Sequence, residues 1–204
     1  MKTLSIKNNS VVLDQLIVSA SNFLFVVMLS QTMDIVSFGN FARIAMLLLI
    51  INAIQNSLVS MPLLSINPLA KEKTNLYLNN VKLIQFLFCI LIGLGSFIGF
   101  YVLANFIFLW ANDLALIFAF VVIFYVSQEF LRKYFIAKFD TKSLLITDII
   151  ANSTRLIFVF YVFLNELEIS ILQILYVYFI SYFLAILFFL KVFIFKTKQI
   201  DRNF

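Results

Sequence analysis

Apolar residues are concentrated in six long stretches that are separated by short polar segments. Each stretch has about 20 or more residues, the length that an α-helix needs to cross the hydrocarbon core of a bilayer. None of them alternates polar and apolar residues as a transmembrane β-strand does. The pattern therefore predicts an all-α, polytopic membrane bundle in which residues 1–204 form a single six-helix lobe. The predicted spans are 11–30, 42–66, 83–109, 114–136, 144–164 and 170–194.

The composition excludes a water-soluble globule. The chain is 63% apolar and 12% charged, with a mean hydropathy of +1.05, whereas about 25% of the residues in a soluble domain are charged. The lipid bilayer is therefore its first partner. The chain has no histidine and one cysteine, Cys89, so it lacks the commonest general base and the commonest metal ligand. We therefore expect no metal, no cofactor and no catalytic residues. The chain is not expected to be an enzyme.

Basic residues are concentrated on alternate breaks between the spans. This distribution predicts that both termini lie in the cytoplasm, which requires an even number of spans. It also explains the net charge of +5 without a nucleic-acid partner. Asp14 and Gln15 interrupt the first apolar run, so we expect a retained span rather than a cleaved signal peptide. The basic residues on this side are Lys2, Lys7, Lys71, Lys73, Lys82, Arg132, Lys133, Lys138, Lys142, Lys191, Lys196, Lys198 and Arg202.

Turn and capping residues mark the five breaks. Pro62, near the end of the second span, predicts a kink or the end of that helix. Gly95 and Gly99 form a GxxxG pattern, which is typical of close helix packing. Glu129 and Lys133 are spaced to form a solvated ion pair at a helix end. The breaks lie at 34–40 (with Gly39), 67–68, 112–113, 140–141 and 165–170.

The first span has one polar face. At 100° per residue its polar side chains fall within about 160° of one another, and the opposite face is apolar. Because a polar side chain in hydrocarbon costs free energy, this face points to protein or to a polar cavity. Hydrogen bonds between helices would explain the same pattern. The polar residues are Asp14, Gln15, Ser19, Ser21 and Asn22.

The second span carries three amides, Asn52, Gln55 and Asn56, on one stripe about midway through the bilayer. The wall of a polar cavity and hydrogen bonds between helices explain this stripe about equally well. Arg43 lies nearer the outer end of the span, where its long side chain can reach the membrane surface. A role in ligand binding is the alternative for Arg43.

The fifth span is the most informative, because Asp148, Asn152 and Arg155 share one narrow stripe. Arg155 is expected near the midplane of the bilayer, where an arginine costs at least about 2.5 kcal/mol on insertion scales. An anionic substrate would offset this cost, and the forked guanidinium suits phosphate. The alternative is an internal ion pair with Asp148 or with Asp14 of the first span.

Two segments resemble a known family. One is LDQLIVSASNFLFVVMLSQTMDIVSFGNFAR at 13–43, a polar-faced helix followed by a short Phe-Gly-Asn-Phe turn. The other is FLRKYFIAKFDTKSLLITDIIANSTRLI at 130–157. Both are similar to the bacterial polysaccharide (O-unit) flippases of the multidrug/oligosaccharidyl-lipid/polysaccharide superfamily. The resemblance implies a multi-pass protein of the bacterial inner membrane that exports undecaprenyl-diphosphate-linked oligosaccharide for surface polysaccharides such as lipopolysaccharide or capsule. It implies cavity roles for Arg43 and Arg155.

The chain departs from that family in length. The family has twelve or more helices in two lobes, whereas six spans are predicted here. The chain resembles an N-terminal lobe, which leaves pairing with itself, pairing with a second six-helix lobe, or an inactive truncated remnant as alternatives. A membrane subunit without transport activity is the second functional hypothesis. A glycan-processing membrane enzyme is the third, and the short loops argue against it.

Overall fold

All six apolar runs are helical in the computed structural model, which describes residues 2–66, 74–106 and 114–193. These ranges contain no strand, and six of their helices are long and apolar enough to cross a membrane. The predicted all-α bundle of six membrane-spanning helices is therefore confirmed. The helices are α1 (Lys2–Thr32), α2 (Ile35–Gln55), α3 (Met61–Ile66), α4 (Thr74–Phe106), α5 (Ala115–Ala137), α6 (Thr141–Leu164) and α7 (Ile171–Phe188).

The second span begins earlier than predicted, because Asp34 caps it. The Asp34 carboxylate accepts hydrogen bonds from the backbone N–H groups of Val36 and Ser37, both at 3.0 Å, which satisfies two donors of the first helical turn. A hydrogen bond from the Ser37 side chain, together with its N–H, holds the pKa of this carboxyl below its usual value. The predicted Phe-Gly-Asn-Phe turn is wrong, since residues 38–41 lie inside α2.

Pro62 does not end the second span. A π-helical turn at Asn56–Ser60 joins α2 to α3, and the N–H of Met61 bonds to the carbonyl of Asn56. A proline has no N–H to offer the preceding turn, and a π turn widens the helix where the regular ladder is interrupted. The span therefore continues as one helix over Ile35–Ile66. The break predicted at 67–68 lies outside the described residues, as does the one at 112–113.

The two remaining breaks are where the sequence predicts them. Asp140 caps α6 by accepting from the N–H of Ser143, and Ser170 forms a capping box with Gln173 at the start of α7. The ends of the preceding helices, α5 and α6, are each followed by a residue with a left-handed backbone conformation. These residues are Phe139, with φ 56°, and Glu166, with φ 52°. This conformation favours glycine and costs other residues free energy.

Helix α5 lies at the centre of the bundle, where it packs against α4, α6 and α7. In its membrane segment 61% of the residues are buried, compared with 11% in α1. Helix α1 packs mainly against α6 and shares few contacts with α2. The side of the bundle between α1 and α2 is therefore loosely closed, and this is where the candidate site lies.

The close approach of α4 to α5 depends on a glycine other than the pair in the GxxxG pattern. A Cβ atom at Gly93 would lie 2.6 Å from Cδ1 of Ile123, whereas Cβ atoms at Gly95 and Gly99 would have no described atom within 4 Å. The packing role predicted for Gly95 and Gly99 is wrong in this bundle, because both face away from the neighbouring helices.

Candidate functional site

A cavity of about 290 Å³, lined by both polar and apolar side chains, lies between α1, α2, α5, α6 and α7. Val26 of α1 and Leu49 of α2 line it and are 43% and 63% exposed. The cavity therefore opens between α1 and α2 to the surface that faces lipid. Its polar lining residues are Asn22, Tyr125, Gln128, Glu129, Arg132, Asp148, Asn152, Arg155, Tyr178 and Tyr182.

Arg155 enters the cavity from the middle of α6 and is 8% exposed. Its Nη2 donates to Oδ1 of Asn22 at 3.3 Å and to Oδ1 of Asn152, and its Nη1 lies 3.5 Å from the Tyr182 hydroxyl. Its Nε is buried with no hydrogen-bond partner in the described part of the chain. The ion pair with Asp148 or Asp14, one of the two alternatives for Arg155, is wrong. Both aspartates bind a different arginine.

Aromatic rings take the place of a counter-ion around Arg155. Its Cζ lies 5.7 Å from the ring centroid of Phe25, 5.2 Å from that of Tyr178 and 5.5 Å from that of Tyr182. A desolvated cation–π contact contributes up to about 2 kcal/mol. The rings therefore hold the guanidinium in place without neutralising its charge.

Arg132 of α5 is the arginine that binds the carboxylates. Its Nε donates to Oδ2 of Asp148 at 2.8 Å, its Nη1 to Oε1 of Glu129 at 3.2 Å, and its Nη2 lies 3.5 Å from Oδ2 of Asp14. Gln128 donates to the other Asp148 oxygen at 3.0 Å. One guanidinium thus joins α1, α5 and α6. Among the described residues no group of acidic, cysteine or histidine side chains is placed to hold a metal ion.

The two arginines give the cavity opposite electrostatic ends. Three carboxyl groups surround the single guanidinium of Arg132, so acidic groups outnumber basic ones at that end. No carboxylate among the described residues pairs with Arg155. The Cα atoms of Asp148 and Arg155 are separated by about 10 Å along α6. An anion in the cavity would consequently be attracted to Arg155 and repelled from the Arg132 end.

Gln55 of the predicted amide stripe lies outside the cavity, in a buried network between α2, α4 and α5. Its Nε2 donates to Oε1 of Gln85 at 3.1 Å and to the carbonyl oxygen of Val126 at 2.6 Å. Gln85 donates in turn to the Cys89 sulfur at 3.1 Å, and that sulfur lies 3.4 Å from the Ser127 hydroxyl. The geometry favours hydrogen bonding between helices as the role of Gln55.

The other residues predicted on the second span also lie outside the described cavity lining. Asn56 donates to Oδ1 of Asn52 at 3.3 Å. Arg43 is exposed, and its Nη1 donates to Oδ1 of Asn40 at 3.0 Å.

Four of the nine predicted site residues line the cavity. Asp14 contacts the cavity indirectly, through Arg132. The four that line it directly are Asn22, Asp148, Asn152 and Arg155.

The contribution of α5 was missed by the sequence analysis. Tyr125, Gln128, Glu129 and Arg132 follow i, i+3, i+4, i+7 spacing and all line the cavity. This spacing places the four side chains on one face of a helix, and the sequence alone is enough to recognise it. Arg132 was instead counted among the basic residues that flank a break, although its side chain is only 14% exposed. The solvated pair predicted for Glu129 with Lys133 is wrong, because Glu129 binds Arg132.

Comparisons with known proteins add no relative. No family model matches the chain. No curated protein matches its sequence at a significant level, and no solved structure matches its fold at a significant level. The sequence and the structure show a multi-pass helical membrane protein with a cavity, lined partly by polar side chains, inside the bundle.

Proposed function

We propose that this chain is one lobe of a membrane transporter that binds the diphosphate of a lipid-linked oligosaccharide and moves it across the bacterial inner membrane. The observation that supports this most is Arg155. It is a buried guanidinium with an unpartnered Nε and no carboxylate partner among the described residues, inside a cavity that opens toward lipid. A buried charge of this kind is costly unless it meets an opposite charge.

The chemistry of the cavity fits a phosphate that is joined to both a lipid and a sugar. Arginine donates paired hydrogen bonds to phosphate oxygens, which a lysine does not reproduce. The opening between α1 and α2 would let the lipid tail remain in the bilayer. Tyr125, Tyr178 and Tyr182 also line the cavity, and aromatic side chains are common in sites that bind small organic molecules.

The size of the cavity argues for a second lobe. A volume of about 290 Å³ is at the lower limit for a pocket that holds a drug-sized molecule, so it has room for a head group and no room for an oligosaccharide. A second six-helix unit facing α1 and α2 would enlarge it. We propose a homodimer or a pair with a second six-helix chain.

Arg155 variants test the transport proposal in a strain that lacks its own lipid-linked oligosaccharide flippase, supplied with and without a candidate second lobe. We expect Arg155→Ala and Arg155→Lys to reduce glycan export while the abundance in the membrane stays near that of the wild type. The matched control is Arg43→Ala, which removes an exposed arginine outside the cavity lining and should export normally.

Two results would decide against the proposal. Normal export by the Arg155→Ala protein would eliminate the role in substrate binding. Failure of the wild-type chain to restore export with any partner, despite normal abundance, would favour the membrane subunit without transport activity.

A further inference from the structure

Two lysines meet on one tyrosine ring at the end of the bundle where α5 turns into α6. The Nζ of Lys82, from α4, lies 5.4 Å from the centroid of the Tyr134 ring. The Nζ of Lys138, the C-cap residue of α5, lies 4.7 Å from the same centroid. The two ammonium groups are therefore separated by at most about 10 Å, a distance at which like charges repel unless solvent screens them.

Lys82 is unusually buried for a lysine, with 7% of its surface exposed. No ion pair among the described residues joins Lys82 or Lys138 to a carboxylate. The acidic residue nearest to Lys138 in the sequence is Asp140, whose carboxylate accepts hydrogen bonds from the N–H and hydroxyl of Ser143. The ring of Tyr134 is 5% exposed and belongs to the core. The cationic pair is thus held by a fixed platform, and its charge is not neutralised within the described residues.

The pair lies near one end of the apolar segment of α4. Lys82 lies about 9 Å inside the first residue of the apolar segment Leu76–Val102 at 1.5 Å per residue. Phe86, one turn further along α4, is 58% exposed toward lipid. A molecule bound at the two ammonium groups would therefore have its acyl chains beside an apolar helix face.

We propose that Lys82, Lys138 and Tyr134 form a binding site for a phosphate group, and that an anionic phospholipid of the bilayer supplies it. The single negative charge of a phosphodiester between the ammonium groups would offset half of their combined charge and weaken their mutual repulsion. Basic sites between transmembrane helices at the membrane surface bind anionic head groups by this chemistry. None of the three residues is among those that line the cavity, so the site is independent of the proposed transport function.

Native mass spectrometry of the full chain, released from vesicles with equal amounts of phosphatidylglycerol and phosphatidylcholine, tests the proposal. A lysine in direct contact with the bound head group is worth about a fivefold preference. We therefore expect the wild type to retain phosphatidylglycerol preferentially and Lys82→Gln/Lys138→Gln to retain both lipids equally. Lys142→Gln, which removes an exposed lysine at the same end of the bundle, is the control and should behave as the wild type.

Further variants keep the test decisive if Lys82→Gln fails to fold. Lys138→Gln removes only an exposed side chain and should lower the preference by about fivefold, and Lys82→Arg should preserve it. Equal retention of both lipids by the wild type, or an unchanged preference in Lys138→Gln, would overturn the proposal.

A second arm distinguishes the source of the phosphate. We expect millimolar inorganic phosphate to leave the thermal midpoint of the protein in pure phosphatidylcholine unchanged, and added phosphatidylglycerol to raise it. If inorganic phosphate raised the thermal midpoint of the wild type by the same amount and did not raise that of Lys138→Gln, the lipid would not be the source of the phosphate.

Discussion

Replacement of Arg132 by alanine is expected to destabilise this bundle more than replacement of Arg155, although both are buried arginines in the same cavity. Arg132 is in contact with three carboxylates, and the side chains of Asp14 and Asp148 are only 4% and 2% exposed. Arg155 is in contact with amides and aromatic rings. The difference lies in what each variant leaves behind.

The magnitudes follow from these partners. Removal of one member of a buried ion pair costs about 3–5 kcal/mol, because the remaining charge has no partner. Arg132→Ala leaves Asp14 and Asp148 in this situation, so we expect a loss of about 3–5 kcal/mol in the free energy of unfolding. Arg155→Ala loses its cation–π contacts and removes an uncompensated charge, so we expect a loss below about 2 kcal/mol.

A pair of double-mutant cycles measures the difference. The free energy of unfolding in bicelles is followed by titration with a denaturing detergent, for the single alanine variants of Arg132, Arg155 and Asp148 and for the two doubles that include Asp148. We expect a coupling energy of about 2 kcal/mol or more between Arg132 and Asp148, and below about 0.5 kcal/mol between Arg155 and Asp148. A coupling energy between Arg155 and Asp148 that exceeds the one between Arg132 and Asp148 would refute the assignment of Arg132 as the partner of Asp148. An unfolding energy for Arg132→Ala within about 1 kcal/mol of the wild type would refute the magnitude.

Three further outcomes are expected. Reporter fusions at Asp140 and at Glu166 should report opposite sides of the membrane, with Asp140 in the cytoplasm, and the reverse pattern would overturn the predicted orientation. Gly93→Ala should lower the unfolding energy by about 1–3 kcal/mol through its clash with α5, whereas Gly95→Ala, with open space around it, should not. Gln55→Ala should cost about 1–3 kcal/mol, because it leaves the buried Oε1 of Gln85 without its donor; a wild-type unfolding energy would show that the network contributes nothing.

Which side chains share the site was only partly predictable from single helices. Asp148, Asn152 and Arg155 were recognised together because their spacing places them on one stripe of one helix, whatever the helix packs against. The same argument left two roles open for Gln55, which faces α4 and α5, and overlooked the stripe on α5 that contains Arg132. A periodic pattern identifies a polar face, but it carries no information on which neighbour that face meets.

The sequence by itself determined the spans, because the free energy of placing a helix in the bilayer is a sum over neighbouring residues. The start of α7 at Ser170 was likewise determined by local sequence. Only the tertiary structure decided which arginine neutralises the aspartates and which remains uncompensated. Asp14 and Arg132 meet across 118 positions of the chain, and their contact depends on how α1, α5 and α6 are rotated and packed. Electrostatic energy depends on distances between side chains, and those distances are fixed only when the helices assemble.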